Sequence, residues 1–291
     1  MGLDYSILLA QAVLNGLVIG AMYMLMAVGF TLVFGIMRVV NFAHGEFYML
    51  GAFTGFFTYV YWEIPFVVCL LIAALTIGIL GMLVERTLIQ PFRSDEMSGM
   101  IATLAISVII QNGAVLLWGP QPRAMPDIVT GTLAIGPFSF PWSRLVVIAA
   151  AALIFTAFWL FMQRTRLGRA MRAVAQDTET ALIQGIRVNY IYPLAFGMSV
   201  ALAALAGALM GPVFSVSPFV GLTPMLKAFV VVILGGLGSV PGAVVGGLLL
   251  GMIESFTATI FGSLVSDILQ LLLVILILLV RPAGLLGQRE A

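Results

Sequence analysis

Long apolar segments separated by short polar ones recur along the whole chain. A helix needs roughly twenty apolar residues to cross about 30 Å of hydrocarbon. Segments that approach or exceed this length cover residues 8–36, 44–62, 64–85, 100–118, 144–163, 191–214, 226–260 and 264–280. The pattern predicts an all-α, polytopic integral membrane protein that forms a single transmembrane domain over residues 1–291.

Two of these segments are too long for one upright helix. The segment 8–36 could be tilted, kinked or broken, whereas the segment 226–260 contains an internal Gly-rich stretch with one proline, GGLGSVPG, from Gly235 to Gly242. Glycine and proline in this arrangement interrupt an α-helix. We therefore predict a broken or re-entrant element at this stretch and eight to nine transmembrane passes in total.

The connection over residues 119–141 differs from the others because it carries five prolines, so it cannot form a regular helix. We expect a compact extracytoplasmic loop there. The predicted helices contain many of the 31 glycines, several of them four residues apart, as Gly51 and Gly55 are. Such spacing lets helix backbones approach closely, and we expect it to serve mainly packing within one subunit.

Composition excludes a soluble fold, because 62% of the residues are hydrophobic and only 9% are charged, against about a quarter charged in soluble domains. Residues 1–6 contain no Lys or Arg ahead of the apolar run, so we interpret them as the start of the first helix rather than as a signal peptide. Cys69 is the only cysteine, which excludes an internal disulfide and a multi-cysteine metal site.

The 13 basic residues are concentrated in a few short connections. Short loops rich in Arg stay in the cytoplasm, which places eight of them inside if the connections after the first, third and fifth spans are cytoplasmic: Arg38, Arg86, Arg93, Arg164, Arg166, Arg169, Arg172 and Arg187. Arg123, Arg144 and Lys227 then fall outside. Arg281 and Arg289 fall inside only if the Gly-rich stretch adds a ninth crossing, so we predict nine passes with the N-terminus outside and the C-terminus inside.

Catalytic motifs are not found in the sequence. Lys227 is the only lysine, and it follows Met225 and Leu226 rather than the glycines of an ATP-binding P-loop. His44 is the only histidine, so neither a His-Glu-x-x-His zinc site nor a convincing Ser-His-Asp arrangement can be assembled. We predict that the chain is not an enzyme and carries no catalytic residue, metal or cofactor.

The connection over residues 164–190 is too long for a plain turn and carries five arginines among alanines. Residues 164–175 suit a helical extension of the fifth span. Asp177 can then cap a short second helix that holds Glu179 in its first turn and ends at Gly185. Its alanines, among them Ala181, would leave a narrow surface able to enter a groove. The alternative is a solvated basic loop that only fixes the topology.

Four motifs, in this order and spacing, resemble a known family. They are NFAHGE at residues 41–46, GRAMRA at 168–173 with Asp177 and Gly185-Ile186 following, GGLGS at 235–239, and RPAGL at 281–285. Together they resemble the inner-membrane permeases of branched-chain amino-acid ABC transporters, specifically the H-type subunit, over nearly the whole chain. The sequence departs from that pattern at Gln184, where an apolar residue is usual, and at Ala105, where the family often has Gly.

The resemblance implies a bacterial inner-membrane importer of branched-chain amino acids or related small polar solutes. Its other members would be a second, different permease subunit, cytoplasmic ATPase subunits and an extracytoplasmic solute-binding protein, with no nucleic-acid partner. In such importers a short cytoplasmic helix of the permease sits in a groove of the ATPase. The ATPase-coupling candidates are Gly168, Arg169, Arg172, Asp177, Glu179, Ala181 and Gly185.

Polar residues inside a bilayer are costly, so they are candidates for a translocation pathway. The candidates here are Asn41, His44, Glu46, Gly235, Gly236, Gly238, Ser239, Glu254 and Asp267. For Glu254 and Asp267, hydrogen bonding between helices or a position near an interface is an equal alternative, and His44 suits capping or packing better than ligand binding. An ion-driven secondary transporter with broken helices is the alternative function.

Overall fold

The structure is a computed structural model that describes residues 2–93, 95–136, 138–281 and 284–286. Most of these residues are helical. The α-helices are α1 (Gly2–Met37), α2 (His44–Val60), α3 (Phe66–Val84), α4 (Glu96–Trp118), α5 (Trp142–Arg164), α6 (Arg166–Gln176), α7 (Thr178–Ile183), α8 (Val188–Met210), α9 (Leu222–Gly235), α10 (Val240–Phe261) and α11 (Ser263–Val280). A π-helical turn (Glu85–Ile89) and a 3₁₀ turn (Gln90–Phe92) extend α3.

Seven of the described helices are long and apolar enough to cross a membrane, and they include α1, α3, α4, α5, α8, α10 and α11. The predicted all-α polytopic membrane fold is therefore confirmed. Helix α1 is one continuous element, so the long first segment is not broken. Helices α2 and α9 have 17 and 14 residues, or about 25 and 21 Å of helix.

Contacts between the helices show that their directions alternate along the chain. His44 and Tyr48 of α2 bond to Met26 and Met22 of α1, so these two helices are antiparallel. Contacts of the same kind show that four more pairs of helices are antiparallel: α3 with α8, α1 with α10, α9 with α10 and α10 with α11. Counting α2 and α9, nine helices of the described chain alternate in direction, but only seven of them are long and apolar enough to cross a membrane, so nine passes stays a prediction.

The Gly-rich stretch breaks the seventh predicted span, as expected. Helix α9 ends at Gly235, and α10 begins at Val240 after a tight turn in which Gly236 and Gly238 have φ values of 102° and 80°. The Ser239 hydroxyl then accepts a hydrogen bond from the Gly242 amide and caps α10. The turn reverses the chain, so α9 and α10 pack against each other in an antiparallel pair.

Small residues mediate the closest helix contacts. Gly51 and Gly55 of α2 face Ala204 and Ala208 of α8, and a glycine stripe of α10 packs on Gly20 of α1. These contacts lie within one chain, as the spacing of the glycines predicted. The central helices α1, α2 and α8 are therefore the most buried part of the bundle.

The bundle has two distinct ends. The basic end, as we call it, is formed by the ends of α1, α3 and α5 together with α6 and α7, and the predicted cytoplasmic arginines lie there. At the opposite end the connection 119–141 contains a β-hairpin, with β1 (Thr132–Ile135) paired to β2 (Phe138–Pro141), so the predicted loop is partly regular. Arg123 pairs there with Val216 through backbone hydrogen bonds of 2.8 and 2.9 Å. Arg289 and Pro137 lie outside the described residues.

Two sequence-based expectations need correction. The fifth span does not extend as a helix through residue 175, because α5 ends at Arg164 and the extended backbone of Thr165 starts a separate helix. The Thr165 hydroxyl accepts a hydrogen bond from the Gly168 amide at 3.0 Å, which caps α6.

Lys227 does not lie in an external connection. It lies within α9 and forms ion pairs with acidic residues of neighbouring helices.

Candidate functional site

The predicted pathway residues fall into three places rather than one. The first is the start of α2, where Asn41, His44 and Glu46 have at most 4% of their surface exposed. The His44 Nε2 atom is 3.1 Å from the Met26 carbonyl oxygen, and its ring contacts Phe30 edge-on. These contacts fit the packing role that its position at a helix start favours, although His44 Nδ1 is buried without a hydrogen-bond partner among the described residues.

Polar atoms near the start of α2 are only partly satisfied. The Ser107 hydroxyl of α4 donates to Glu46 Oε1 at 3.1 Å, whereas Glu46 Oε2 is buried without a hydrogen-bond partner. The same holds for Asn41 Nδ2, although Asn41 Oδ1 accepts from the Ala43 amide at 3.0 Å. Unpaired polar atoms in an apolar interior are costly. Asn41 and Glu46 therefore remain candidates for the predicted translocation pathway.

The second place is the turn between α9 and α10, which holds Gly235, Gly236, Gly238 and Ser239. Gly35 near the end of α1 approaches Gly238, so the turn lies at the basic end. The chain after α11 returns to the same turn, where the Leu285 amide donates to the Leu234 carbonyl at 2.8 Å. These glycines therefore form a packed corner of the bundle.

The third place is a charged cluster on α1, α9, α10 and α11. We call it the Lys227 cluster and define it as Tyr23, Lys227, Glu254, Asp267 and Gln270. Lys227 Nζ is 2.6 Å from Asp267 Oδ1 and 3.3 Å from Glu254 Oε2. It also donates to Gln270 Oε1, and the Tyr23 hydroxyl of α1 donates to Glu254 Oε2 at 2.9 Å. The two predicted acids thus share one cation.

Glu254 and Asp267 were predicted from the sequence, but their partner Lys227 was not. A single lysine five residues into an apolar helix was a usable signal, because an ionisable residue within a span requires a partner. A second missed pair joins Glu85, whose side chain is fully buried, to Arg93. The Arg93 guanidinium also lies over the Tyr192 ring at 4.8 Å, so this arginine connects the π-helical turn to α8.

The predicted coupling segment forms two capped helices at the basic end. Asp177 Oδ1 accepts hydrogen bonds from the Glu179 and Thr180 amides at 3.0 and 3.1 Å, and α7 ends before Gly185, whose φ is 83°. Hydrogen bonds from the Thr180 hydroxyl and from the backbone amides hold the pKa of the Asp177 carboxyl below its usual value. The short capped helix and its ends agree with the sequence-based prediction.

The coupling candidates divide into inward and outward positions. Gly168 is buried against the end of α5, with its Cβ position 2.6 Å from Met162 Cα, and Arg172 donates to the Met162 carbonyl. Ala181 is only 2% exposed. Arg169, Asp177, Glu179 and Gly185 are exposed.

The expectation that alanine forms the outer surface of α7 is therefore wrong for Ala181. The exposed apolar residues of α7 are Leu182 and Ile183, at 54% and 87% exposure. The part of the chain that the structure describes leaves Ile183 almost uncovered, so this isoleucine on a short, capped helix is a candidate apolar contact point. The sequence signal was the Leu182-Ile183 pair, which Gln184 separates from Gly185.

The chain is similar to known transport permeases over nearly its whole length. Residues 12–278 match the family described as branched-chain amino acid transport system, permease component. The high-affinity branched-chain amino acid transport system permease protein BraD of Pseudomonas aeruginosa is 36% identical, with 96% of each chain covered. LivH of Escherichia coli, which carries the same description, is 34% identical with the same coverage.

A more distant relative is archaeal. The probable branched-chain amino acid transport permease protein LivH of Methanocaldococcus jannaschii is 28% identical over 95% of this chain and 92% of its own length. No solved structure gives a significant match. On the strength of the match over residues 12–278 and of two relatives that align nearly end to end, the chain belongs to the permease component family of branched-chain amino acid transport systems.

Proposed function

We propose that this chain is the membrane-spanning permease subunit of an ATP-driven importer, located in the bacterial inner membrane. Its solutes are branched-chain amino acids or related small polar molecules. The named relatives support the solute class, and the helical bundle supports a role in the translocation pathway. A second permease subunit completes the pathway, and a solute-binding protein delivers the solute at the end opposite to the basic end.

The observation that best supports an ATP-driven mechanism is the exposed apolar face of α7. Leu182 and Ile183 project from α7, which begins at the Asp177 cap and ends before Gly185. The helix rests on the bundle through buried Ala181. A rigid apolar projection at the arginine-rich end suits a groove of a cytoplasmic ATPase subunit, which moves α7 when it closes on ATP.

The bundle can pass this movement on because α6 and α7 are firmly attached to it. Arg172 bonds to the carbonyl of Met162 near the end of α5, and Gly168 allows the two backbones to touch there. The Ile186 amide donates to the Ala181 carbonyl at 3.0 Å, just before α8 begins. A push on α7 is therefore transmitted to both α5 and α8.

The test is to replace the exposed contact residue in the complete, reconstituted transporter. Burying an isoleucine side chain contributes about 1.5–3 kcal/mol, so Ile183→Asp should weaken the binding of the ATPase subunit roughly 10-fold to 100-fold. Gln176→Asp is the matched control, because it adds the same charge at an exposed site of α6. Copurification of the ATPase and solute-stimulated ATP hydrolysis are measured for both.

Wild-type values of both quantities for Ile183→Asp would refute the role of α7. A purified chain that moves amino acids into liposomes without any ATPase subunit would instead favour the ion-driven alternative. That alternative has the broken α9–α10 element in its favour. Family membership favours the ATP-driven system.

A further inference from the structure

A mixed polar and apolar cavity of about 340 Å³ lies between α1, α5, α10 and the connection 211–221. It is at the end of the bundle opposite to the basic end, since α1 and α5 begin there. Its polar walls include Asn15, Arg144 and Glu254, and its apolar walls include Ile19, Val213 and Phe214. Ligand cavities range from about 300 to 1,000 Å³, so this one suits a small solute.

Arg144 presents an unmatched positive charge to this cavity. Its guanidinium donates one hydrogen bond to Asn15 Oδ1, and it forms no ion pair with an acid in the described part of the chain. A guanidinium has five N–H donors in a planar fork. The donors that Asn15 leaves free have the geometry that binds a carboxylate through two parallel hydrogen bonds.

Glu254 presents a negative charge that is only partly matched, because it shares Lys227 with Asp267. Its Oε2 atom accepts the Tyr23 hydrogen bond and faces Lys227, whereas Oε1 has no hydrogen-bond partner among the described residues. Lys227 is closer to Asp267 than to Glu254, at 2.6 against 3.3 Å. The formal charges of Lys227, Glu254 and Asp267 sum to −1, so one carboxylate charge is left over. Arg144 adds one positive charge, so the region as a whole is neutral. Its remaining negative charge at Glu254 and its positive charge at Arg144 are separated in space.

We infer that this cavity binds an α-amino acid as its zwitterion. The α-carboxylate pairs with Arg144, the α-ammonium group pairs with Glu254, and an aliphatic side chain lies against Ile19, Val213 and Phe214. Such a ligand has zero net charge but carries one positive and one negative group, so it offers a counter-charge to Glu254 and another to Arg144. The inference rests on the proposed function for its solute class and adds to it a site within this chain.

The experiment measures binding of radiolabelled leucine to the complete permease and ATPase complex in lipid nanodiscs, without a solute-binding protein and without ATP. Arg144→Gln and Glu254→Gln should each weaken binding roughly 10-fold to 100-fold, as loss of a hydrogen bond between charged groups does. Arg86→Gln and Glu63→Gln are the matched controls. Both residues are exposed and lie outside the cavity, so leucine binding should not change.

Two leucine analogues separate recognition from a general loss of structure. Isopentylamine lacks the carboxylate and 4-methylpentanoate lacks the ammonium group. Arg144→Gln should abolish the preference for leucine over the amine but keep the preference over the acid, and Glu254→Gln should do the reverse. If the glutamine variants do not fold, Arg144→Lys and Glu254→Asp replace them, and each should reduce the same preference.

Unchanged leucine binding in the variants, loss of binding without the crossed pattern, or no binding to the wild-type complex at millimolar leucine would overturn the inference. Uptake of branched-chain amino acids by the wild-type transporter with its binding protein and ATP is measured in parallel. Normal uptake combined with any of those results rejects the cavity but keeps the proposed function. Absence of amino-acid uptake by the wild type rejects the proposed function itself.

Discussion

The contact between α2 and α8 predicts that one added methyl group at Gly207 destabilises the bundle. A Cβ atom there would lie 2.9 Å from the Tyr48 carbonyl carbon and 3.0 Å from the Ala52 amide nitrogen, with the Tyr48 carbonyl oxygen closer still. These are backbone atoms, so no rotamer change can relieve the overlap. The helices must separate by about 1 Å, and overpacking of this kind costs about 1–3 kcal/mol.

Gly113 provides the matched control. It lies within α4, more than one turn before the helix ends at Trp118, and a Cβ atom added there meets no atom within 4 Å. Alanine in a helix interior is favoured over glycine by roughly 0.5–1 kcal/mol. Gly113→Ala should therefore leave the stability of the protein unchanged or raise it slightly, whereas Gly207→Ala should lower it.

The single cysteine makes the measurement direct. Cys69 is buried in α3, so a thiol-reactive fluorophore labels it only when the bundle opens. At about 2 °C per kcal/mol for a chain of this size, Gly207→Ala should lower the labelling midpoint by roughly 4 °C. Equal midpoints for Gly207→Ala and Gly113→Ala would refute the reasoning, because they would mean that α2 and α8 are not in backbone contact.

Three further predictions concern a buried ion pair, the orientation in the membrane and the cap of α7. Arg93→Ala leaves the buried Glu85 carboxylate unpaired and should cost about 3 kcal/mol, whereas adding the second change Glu85→Gln should recover part of that loss in the same labelling assay. In a cysteine-free background, Gln176→Cys should react only with reagent that reaches the cytoplasm and Asp127→Cys only from outside; reversed labelling would invert the predicted orientation. Asp177→Ala should weaken ATPase copurification more than Asp177→Asn, since asparagine also caps helices. Because the folded-state pKa of Asp177 is lowered, its ionised cap is lost only as pH falls below about 3.8, so coupling that changed between pH 6 and 8 through this residue would contradict the assignment.

The sequence was sufficient to place the helices because crossing a bilayer requires both length and an apolar composition. The break at residues 236–239 was predictable for the same kind of reason, since Gly236 and Gly238 adopt positive φ values that helices do not contain. The end of α5 was not predictable. Threonine is tolerated inside helices, whereas here Thr165 ends α5, accepts a hydrogen bond from the Gly168 amide and lets Gly168 pack against the end of α5.

The candidate sites show the same division between local and long-range signals. The cap of α7 by Asp177 and its end at Gly185 depend on neighbouring residues, and both could be predicted. The inward direction of Ala181 and the pairing of Lys227 with Asp267, 40 residues further along the chain, depend on how helices pack. Hydropathy carries no information on which helices are neighbours.

The starts of α2 and α9 explain how two helices too short to span a bilayer belong to a membrane domain. Each follows an irregular segment, and irregular backbone at membrane depth is tolerated only where protein covers it. Val39 and Ala43 are at most 4% exposed, and a Cβ atom at Gly45 would lie 2.5 Å from the Gly221 carbonyl oxygen. The segment before α9 therefore covers the start of α2, and the reverse also holds. Separating the two segments would expose backbone groups that protein now covers, so we expect α2 and α9 to move as a pair if the bundle changes conformation.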